Sequence, residues 1–450
     1  MTDDSVARHA SVLLAFRARN VRSFRDEMDF SMLATNLAEE RAVRLVSWRE
    51  GGRPLGILPV AALFGANASG KSNVLRSMSE MRAHVVGSFR YGPHGGVPRR
   101  PFMLDATSKG KPSRFEIDLV LDGVRYTYGF VFDDEQFLEE WAHRYPRGRS
   151  ALLFRRRGSE VEFGSVGRAK GRAITELMRP NALFLSTAAS ANHPVLSRLY
   201  SWFDGNLRLA DPGTRQIRQA VTTQMLKDTE RGESVRAMLK AADLGISGVQ
   251  EIRPDPEQTE RVRRAIRVLF GQDTESDVGE EVAATVEDIP MVRLVHEASA
   301  GSVEFDDADE SLGTLVWFGL VGPVIDALAK GSVLLVDELD ASLHPELVGQ
   351  IVRLFQDPET NPRRAQLICN THDVTLLGGS GDRPLGRDQI WFTEKLRDGS
   401  TRLYPLSDLD PRKAEAVGRR YLAGRYGATP ILSSKEFDQV GRMIASADAR

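Results

Sequence analysis

The sequence predicts an α/β fold whose core is divided between two distant parts of the chain. Three apolar runs carry this prediction: residues 58–64, 331–336 and 366–370. Runs that are apolar throughout are typical of strands buried on both faces of a parallel sheet. A glycine-rich octapeptide at 65–72 follows the first run, and a helical pattern continues over residues 73–81. This order of strand, turn and helix is typical of an α/β core.

The octapeptide Gly65-Ala-Asn-Ala-Ser-Gly-Lys-Ser72 has the complete GxxxxGK[ST] pattern of a phosphate loop. Its glycines let the backbone curl so that successive N–H groups point at phosphates. In this pattern Lys71 reaches the β/γ oxygens, and the Ser72 hydroxyl is placed to bind Mg²⁺. The pattern predicts that the chain binds a nucleoside triphosphate. The predicted binding residues are Gly65, Asn67, Ser69, Gly70, Lys71, Ser72 and Asn73.

Polar residues that suit hydrolysis follow the second and third apolar runs. Asp337 and Glu338 end the second run: Asp337 is predicted to hold Mg²⁺ through water, and Glu338 to take the proton from the attacking water. His372 follows the third run, where it can hydrogen-bond the γ-phosphate and the attacking water. Two other interpretations stay open, since acidic residues at strand ends also cap helices and a histidine at such a junction is commonly a surface residue.

Length and composition place the chain among globular proteins of two or three domain-sized units. It has 450 residues and a formal net charge of −2, so any nucleic-acid site must be a local patch. The one cysteine, Cys369, excludes an intramolecular disulfide and fits a reducing compartment. No apolar stretch approaches the roughly 20 residues that span a bilayer. We therefore expect a cytoplasmic protein with no membrane partner.

Changes of pattern along the chain predict five segments. They are the first half of the core at 11–90, a β-rich insertion at 91–172, a helical insertion at 173–300, the second half of the core at 301–432 and a tail at 433–450. Alternating apolar and polar residues predict two strands within 11–34 and further strands at 115–121, 124–132, 160–163, 289–296, 389–394 and 401–406. Helical periodicity predicts helices at 261–270 and 313–329.

The order of these motifs resembles the ABC-type ATPase heads of RecF, SMC, OLD and double-strand-break-repair proteins. The similarity is greater to AAA-type ATPases of abortive-infection and phage-defence loci, the RloA-like and AriA-like proteins. The strings that carry the resemblance are residues 20–25, 64–75, 122–130, 181–186, 310–314, 336–345, 370–373, 387–392 and 419–427. The resemblance implies an ABC-type P-loop ATPase head, with a mixed sheet flanked by helices, that hydrolyses ATP with Mg²⁺.

The resemblance also implies partners. Residues 310–314 would be the signature segment, in which Ser311 and Gly313 meet the γ-phosphate of ATP bound to the other subunit. It implies a homodimer or higher homo-oligomer that acts as the sensor of an anti-phage system. A separate effector of the TOPRIM or nuclease-like kind would do the damage, and a nucleic acid or a phage protein would be the trigger. The chain departs from the pattern at Leu312 and His344, and no glutamine lies between Lys71 and Gln136 to serve as a Q-loop residue.

Two alternative functions remain open at this point. A RecF-like ATPase of DNA repair has the same motifs, and the basic residues between Arg144 and Arg172, with Arg419, Arg420 and Arg425, could contact nucleic acid. An OLD-like nuclease would need acidic metal ligands, for which Asp408 and Asp410 have the required spacing. The acidic neighbours of the basic cluster and Pro411 after Asp410 favour ordinary solvated surfaces in both cases.

Overall fold

A computed structural model describes residues 11–49, 52–252, 291–298, 301–306, 308–378, 384–412, 415–430 and 433–447. The strands in these residues are β1 (Val12–Arg19), β2 (Met28–Ser31), β3 (Arg44–Val46), β4 (Leu55–Ile57), β5 (Val60–Gly65), β6 (Ser113–Leu121), β7 (Val124–Phe132), β8 (Phe137–Arg144), β9 (Ala151–Arg157), β10 (Glu160–Phe163), β11 (Arg208–Ala210), β12 (Ile246–Ile252), β13 (Met291–Ala298), β14 (Gly301–Phe305), β15 (Val333–Val336), β16 (Gln366–Asn370), β17 (Ile390–Lys395) and β18 (Thr401–Pro405). The helices are α1 (Lys71–Gly87), α2 (Ala106–Lys109), α3 (Arg168–Thr175), α4 (Phe184–Ser190), α5 (Leu196–Gly205), α6 (Arg215–Leu226), α7 (Thr229–Ala241), α8 (Leu312–Lys330), α9 (Pro345–Gln356), α10 (Val417–Leu422) and α11 (Ser434–Ala447).

A six-stranded sheet forms the centre of the core, in the order β11-β15-β16-β5-β17-β18. Its strands are parallel except β18, which pairs antiparallel with β17. Every residue of β5, β15 and β16 is buried, as expected for strands covered on both faces. The three strands predicted from apolar runs are confirmed. Because they run parallel, their carboxyl ends meet at one edge of the sheet.

A seven-stranded antiparallel sheet has the order β10-β9-β8-β7-β6-β1-β2. The strands predicted within 11–34 and at 115–121, 124–132 and 160–163 are confirmed. They join in one sheet because β1, from the start of the chain, pairs with β6. The boundaries proposed at residues 90, 172, 300 and 432 remain predictions.

The α1 helix connects the two sheets through one hydrophobic cluster. Val74, Leu75, Met78 and Met81 recur at helical spacing and are buried. The same cluster contains side chains of β5 and β16 and of β1, β6 and β7. Because fully burying one such side chain contributes roughly 1.5–3 kcal/mol, the cluster holds both sheets firmly against the helix that begins in the phosphate loop.

A buried polar contact joins the sheets at the amino end of β16. The Leu13 N–H donates to Gln366 Oε1 at 2.7 Å, and Gln366 Nε2 donates to the carbonyl oxygens of Leu13 at 3.0 Å and Leu58 at 3.2 Å. Gln366 is buried. Since a buried polar group without a partner costs about 1–3 kcal/mol, these three bonds fix β1 relative to β16.

The α8 helix covers the other face of the six-stranded sheet. It has 19 residues, and the mean hydropathy of its most apolar 18-residue window is 1.7, which by length and composition alone is enough to cross a membrane. The expectation that no stretch approaches this length was therefore wrong. The helix is instead packed within the protein, where its Phe318 carbonyl accepts a hydrogen bond from Thr222 of α6 at 2.8 Å. Burial of 56% of its most apolar window is typical of a core helix.

The segment between α7 and α8 contains a three-stranded antiparallel sheet, in the order β12-β13-β14. Strand β13 confirms the strand predicted at 289–296, and α8 confirms the helix predicted at 313–329. Strands β17 and β18 likewise confirm the last predicted pair. The predicted helix at 261–270 lies outside the described residues.

His84 is buried in an aromatic cluster at the end of α1. Its ring centroid lies 4.8 Å from that of Phe132 and 5.9 Å from those of Phe130 and Phe137. The Tyr91 hydroxyl lies 3.2 Å from Nδ1. Burial lowers the pKa of His84 from its ordinary 6.5 to about 4. The imidazole is therefore neutral at neutral pH and would be costly to charge in the folded state.

The protein is expected to lose stability as the pH falls from 6.5 to about 4 because of His84. Across this window the unfolded histidine takes up a proton that the folded one rejects, so the contribution is full above pH 6.5 and lost by about pH 4. At about 1.4 kcal/mol per pH unit the loss approaches roughly 3 kcal/mol. Urea unfolding at pH 7.5 and 4.5 measures it. His84→Phe should show a smaller loss than the parent, and the exposed-site control His94→Phe should not; equal losses in all three would contradict the assignment.

Candidate active site

The phosphate loop lies between the end of β5 and the start of α1, and two threonines of the neighbouring hairpin hold it. Gly70 has φ +105°, and a side chain there or at Gly65 would collide with Thr401 or Thr393. The Ser69 hydroxyl lies 2.6 Å from the Thr393 hydroxyl, and the Thr401 hydroxyl donates to the Ser69 carbonyl at 2.9 Å. The loop is therefore shaped before any nucleotide arrives. Asn67, at its tip, is exposed.

Lys71 is buried inside the loop. Its Nζ donates to the carbonyl oxygens of Gly65 at 2.8 Å and Ala66 at 3.0 Å. Burial lowers the pKa of Lys71, while the nearby carboxylates of Asp340 and Glu338 oppose that shift. A desolvated ammonium held by only two neutral carbonyl oxygens is well prepared to exchange them for phosphate oxygens.

Asn370, the last residue of β16, joins the three parts of the site. Its Nδ2 donates to the Ser72 hydroxyl at 3.3 Å and to Asp337 Oδ1 at 2.5 Å. Its Oδ1 accepts the backbone N–H of Glu338. The structure therefore brings the predicted metal-binding residues Ser72 and Asp337 to one point. Arg76 Nη2 contacts the other Asp337 oxygen at 3.3 Å.

The oxygens that meet at Asn370 fit a magnesium ion. Mg²⁺ is usually bound in such sites by one or two protein oxygens, with phosphate oxygens and water completing the octahedron. Ser72 offers a hydroxyl and Asp337 a buried carboxylate, and one amide donor already contacts both. These are hard oxygen donors of the kind that the ion prefers.

Glu338 occupies a strained position directly after Asp337. Its φ of +59° lies in the left-handed region, and the bond to Asn370 and a bond from the Ala341 N–H to its carbonyl hold it there. Its side chain is exposed, whereas that of Asp337 is buried. The turn thus directs one carboxylate inward and leaves the next one free for solvent. Strain of this kind often accompanies functional positions.

His372 lies at the same sheet edge and is held by Asp340. The backbone N–H of His372 donates to Asp340 Oδ2 at 3.1 Å, while Asp340 Oδ1 is buried without a partner among the described residues. Burial and the charge of Lys71 lower the pKa of His372. A neutral imidazole at pH 7 can donate from one ring nitrogen and accept at the other.

Ser311 and Gly313 lie at the start of α8, against the turn that follows Glu338. The Ser311 hydroxyl accepts the Thr314 N–H at 3.0 Å and so caps the helix. A Cβ on Gly313 would lie 2.6 Å from the Ser342 carbonyl oxygen, so only glycine fits there. In the described residues neither Ser311 nor Gly313 hydrogen-bonds to the phosphate loop of its own chain.

Comparison with known proteins identifies the family. Residues 60–378 match the family model described as "AAA domain, putative AbiEii toxin, Type IV TA system", which is well over half of the chain. The chain belongs to this family. This AbiEii-type AAA protein is accordingly an ATP-hydrolysing P-loop enzyme with a mixed α/β fold.

Solved structures similar to the AbiEii-type chain include SMC heads. The SMC head domain from Thermotoga maritima is 13% identical, with a TM-score of 0.34, and covers 87% of this chain and 98% of its own. An SMC head bound to the C-winged helix domain of ScpA is 12% identical, with a TM-score of 0.37 and coverages of 88% and 99%. An Smc head with an extended coiled coil, bound to the C-terminal domain of ScpA from Pyrococcus furiosus, is 11% identical, with a TM-score of 0.35 and coverages of 89% and 98%. No curated protein matches the sequence.

A cleft of about 500 Å³ adjoins the start of α1 in the AbiEii-type head. Arg22, Ser23 and Asn73 line it with the apolar side chains of Phe102 and Leu104. Asn73 Nδ2 donates to the Ser23 hydroxyl at 2.9 Å, and the Thr401 hydroxyl oxygen lies 2.8 Å from the same Ser23 oxygen. Mixed cationic and apolar walls beside a phosphate loop suit the base and ribose of a nucleotide.

The residues proposed for other chemistries lie elsewhere. Asp408 and Asp410 are exposed in a short turn after β18, and Asp410 has φ +45°. In the described part of the chain no group of three acidic, histidine or cysteine side chains could hold a metal ion. Arg156, in the basic cluster, is buried, and its guanidinium donates to backbone carbonyls including that of Ala182 at 2.6 Å.

Sequence reasoning missed several residues of this site: Ser23, Arg76, Asp340, Asn370, Thr393 and Thr401. Asp340 and Asn370 could have been found, because each lies within three residues of a predicted site residue at a strand end. The two threonines come from a hairpin more than 300 residues from the loop that they hold, and no local pattern distinguishes them.

Asn370→Ala is expected to lower ATP turnover about 10- to 100-fold, the usual effect of removing a group that orients metal ligands. The Mg²⁺ concentration for half-maximal rate should rise as well, because Ser72 and Asp337 lose their shared donor. Steady-state ATPase assays over a Mg²⁺ series measure both. Asn361→Ala removes a buried amide that bonds to Phe355 at the end of α9 and to Ala365 just before β16; it should lower stability and leave the magnesium dependence unchanged. A parental magnesium dependence in Asn370→Ala would contradict this role.

Proposed function

We propose that two copies of this AbiEii-type ATPase bind two ATP molecules between them, and that hydrolysis switches the assembly between states that control a separate effector in anti-phage defence. The observation that carries the proposal is the convergence of Ser72, Asp337 and Glu338 on Asn370. It supports a metal site beside the phosphate loop of each copy. The proposed compartment is the cytoplasm.

The start of α8 supports a site shared between two subunits. Ser311 and Leu312 are exposed, and Leu312 retains 54% of its accessible surface. A helix N-terminus carries unpaired N–H groups and a partial positive charge that favour an anion. Because these groups do not bond to the loop of their own chain, we propose that they meet the γ-phosphate held by the partner's loop.

The proposed hydrolysis divides the work among a few residues. The loop N–H groups and Lys71 hold the phosphates, and Ser72 and Asp337 hold Mg²⁺, which when bound neutralises charge on the phosphates. Glu338 takes the proton from the attacking water, and His372 hydrogen-bonds the γ-phosphate. A positioned base of this kind contributes about 10²–10⁴ in rate. The exposure of Glu338 leaves its carboxylate free to reach such a water.

The proposed biological setting is anti-phage defence. The family description names an abortive-infection toxin and a toxin–antitoxin system, and the sequence resembles ATPases of phage-defence loci. We propose that a nucleic acid or a phage protein is the trigger and that the effector is a TOPRIM or nuclease-like protein. Expression of this chain with and without its neighbouring gene, followed by phage plating, tests the setting.

Glu338→Gln is expected to keep ATP binding but to lower turnover by about 10²–10⁴, the range typical of losing a general base. Lys71→Ala should instead lose binding, because the ammonium contacts phosphate directly. Nucleotide binding by fluorescence and phosphate release measure the two effects. The exposed Glu359→Gln is the matched control and should behave like the parent. Equal turnover in Glu338→Gln and the parent would contradict the role of Glu338 as the general base.

A mixing experiment tests the shared site. Ser311→Asp keeps a capping oxygen for α8 but places negative charge where the γ-phosphate is proposed to bind. Each of Ser311→Asp and Lys71→Ala should be inactive alone, whereas random co-assembly restores one intact site in mixed dimers, about a quarter of parental activity in a two-fold symmetric dimer. Absence of any recovery despite co-purification of both variants would contradict the shared site.

A further inference from the structure

The outer strand of the small inserted sheet has a free edge. Strand β14 pairs only with β13 in the described residues, and every one of its residues is exposed. Alternate residues of an edge strand turn their N–H and C=O groups away from the sheet, where they can accept another strand. Natural edges are commonly blocked by lysine, proline or a bulge. The sequence Gly-Ser-Val-Glu-Phe of β14 contains neither lysine nor proline.

The layer of side chains on one face of this small sheet ends at the β14 edge, where it is open to solvent. Val303 pairs with His296, and Phe305 pairs with Leu294, so these four side chains share one face of the sheet. Leu294 is buried, but Val303 keeps 47% and Phe305 36% of its accessible surface. An added strand with apolar residues at alternate positions would continue the layer and cover both side chains.

A hydrogen bond ties this sheet to the start of α8. His296 Nε2 lies 2.6 Å from Glu310 Oε1, and the Glu310 side chain is 5% exposed. Glu310 directly precedes Ser311, which caps α8. The α7 helix also packs against both β12 and α8. Val303 is the strand partner of His296, so whatever fixes the edge of β14 also fixes the residue that holds Glu310.

We propose that the edge of β14 is the input site of the ATPase, where an extended segment of a partner protein adds as a fourth strand. The His296–Glu310 pair carries that event to the helix start that meets ATP. Unpaired backbone groups favour an extended polypeptide as the occupant, and the two exposed side chains favour one with alternating apolar residues. The effect on ATP turnover rests on the proposed function, whereas the docking of the segment does not.

A displayed library of random 12-residue peptides, selected on the full-length protein, supplies the probe. Selected peptides should show apolar residues at alternate positions, and fluorescence polarisation should show binding weakened at least tenfold by Val303→Lys. Ser302→Lys puts the same charge on the opposite face of the strand and should bind within about twofold of the parent. Two peptides methylated at alternate backbone amides separate the two sides of the added strand. Methylation of the amides that face β14 should abolish binding, and methylation of the other set should leave binding unchanged. Unfolding in urea confirms that both variants fold.

The second measurement concerns coupling. Saturating peptide is expected to raise ATP turnover about fivefold or more, the lower end of ordinary allosteric coupling. Glu310→Gln should still bind the peptide but lose that response, which a purely structural role of Glu310 would not produce. Docking of a partner segment is overturned if no peptide is selected or if both lysine variants bind the peptide equally well. It is also overturned if Val303→Lys stops the full-length protein from self-associating, since a second copy would then be the occupant of this edge. If docking holds but the parent hydrolyses no ATP, the proposed function fails and the docking site stands.

Discussion

The amide of Asn370 is the contact on which the site depends. One side chain donates to Ser72 and Asp337 and accepts from the Glu338 backbone. Only a group with both donor and acceptor can do this; a carboxylate would repel Asp337, and an aliphatic residue would leave the Glu338 N–H without its partner. Because β16 lies between β5 and β15, the amide spans two strand ends that do not touch each other.

Strand β16 has a polar residue at each end and three apolar residues between them. Gln366 ties its amino end to β1 of the antiparallel sheet, and Asn370 ties its carboxyl end to Ser72 and Asp337, the residues proposed to bind metal. Leu367, Ile368 and Cys369 between them are fully buried. A five-residue strand thus fixes the two sheets and the active site to one another, and movement of either sheet would displace Asn370.

The sequence was enough to predict what local chemistry determines. The octapeptide at 65–72 and the apolar runs before Asp337 and His372 predicted the central strands, because such patterns have few other physical interpretations. Pairing between distant segments could not be predicted: nothing in β1 indicates β6 as its neighbour. Arg156 shows a second limit, since a basic residue in a basic cluster proved to be buried and bonded to backbone carbonyls, which only tertiary structure determines.

The turn after Asp337 connects the site with the start of α8. Asp340 accepts the backbone N–H of His372 near Lys71, and the Ser342 carbonyl lies where a side chain on Gly313, at the start of α8, would be. Six residues therefore connect the Asp337 carboxylate, which is proposed to bind metal, with the helix start proposed to meet the partner's nucleotide. Glu338 and Ser342 both have positive φ, so the turn has little freedom to absorb a shift at one end. Displacement of Asp337 on hydrolysis would consequently reach α8, and through Glu310 the small sheet, without any large rearrangement of the core.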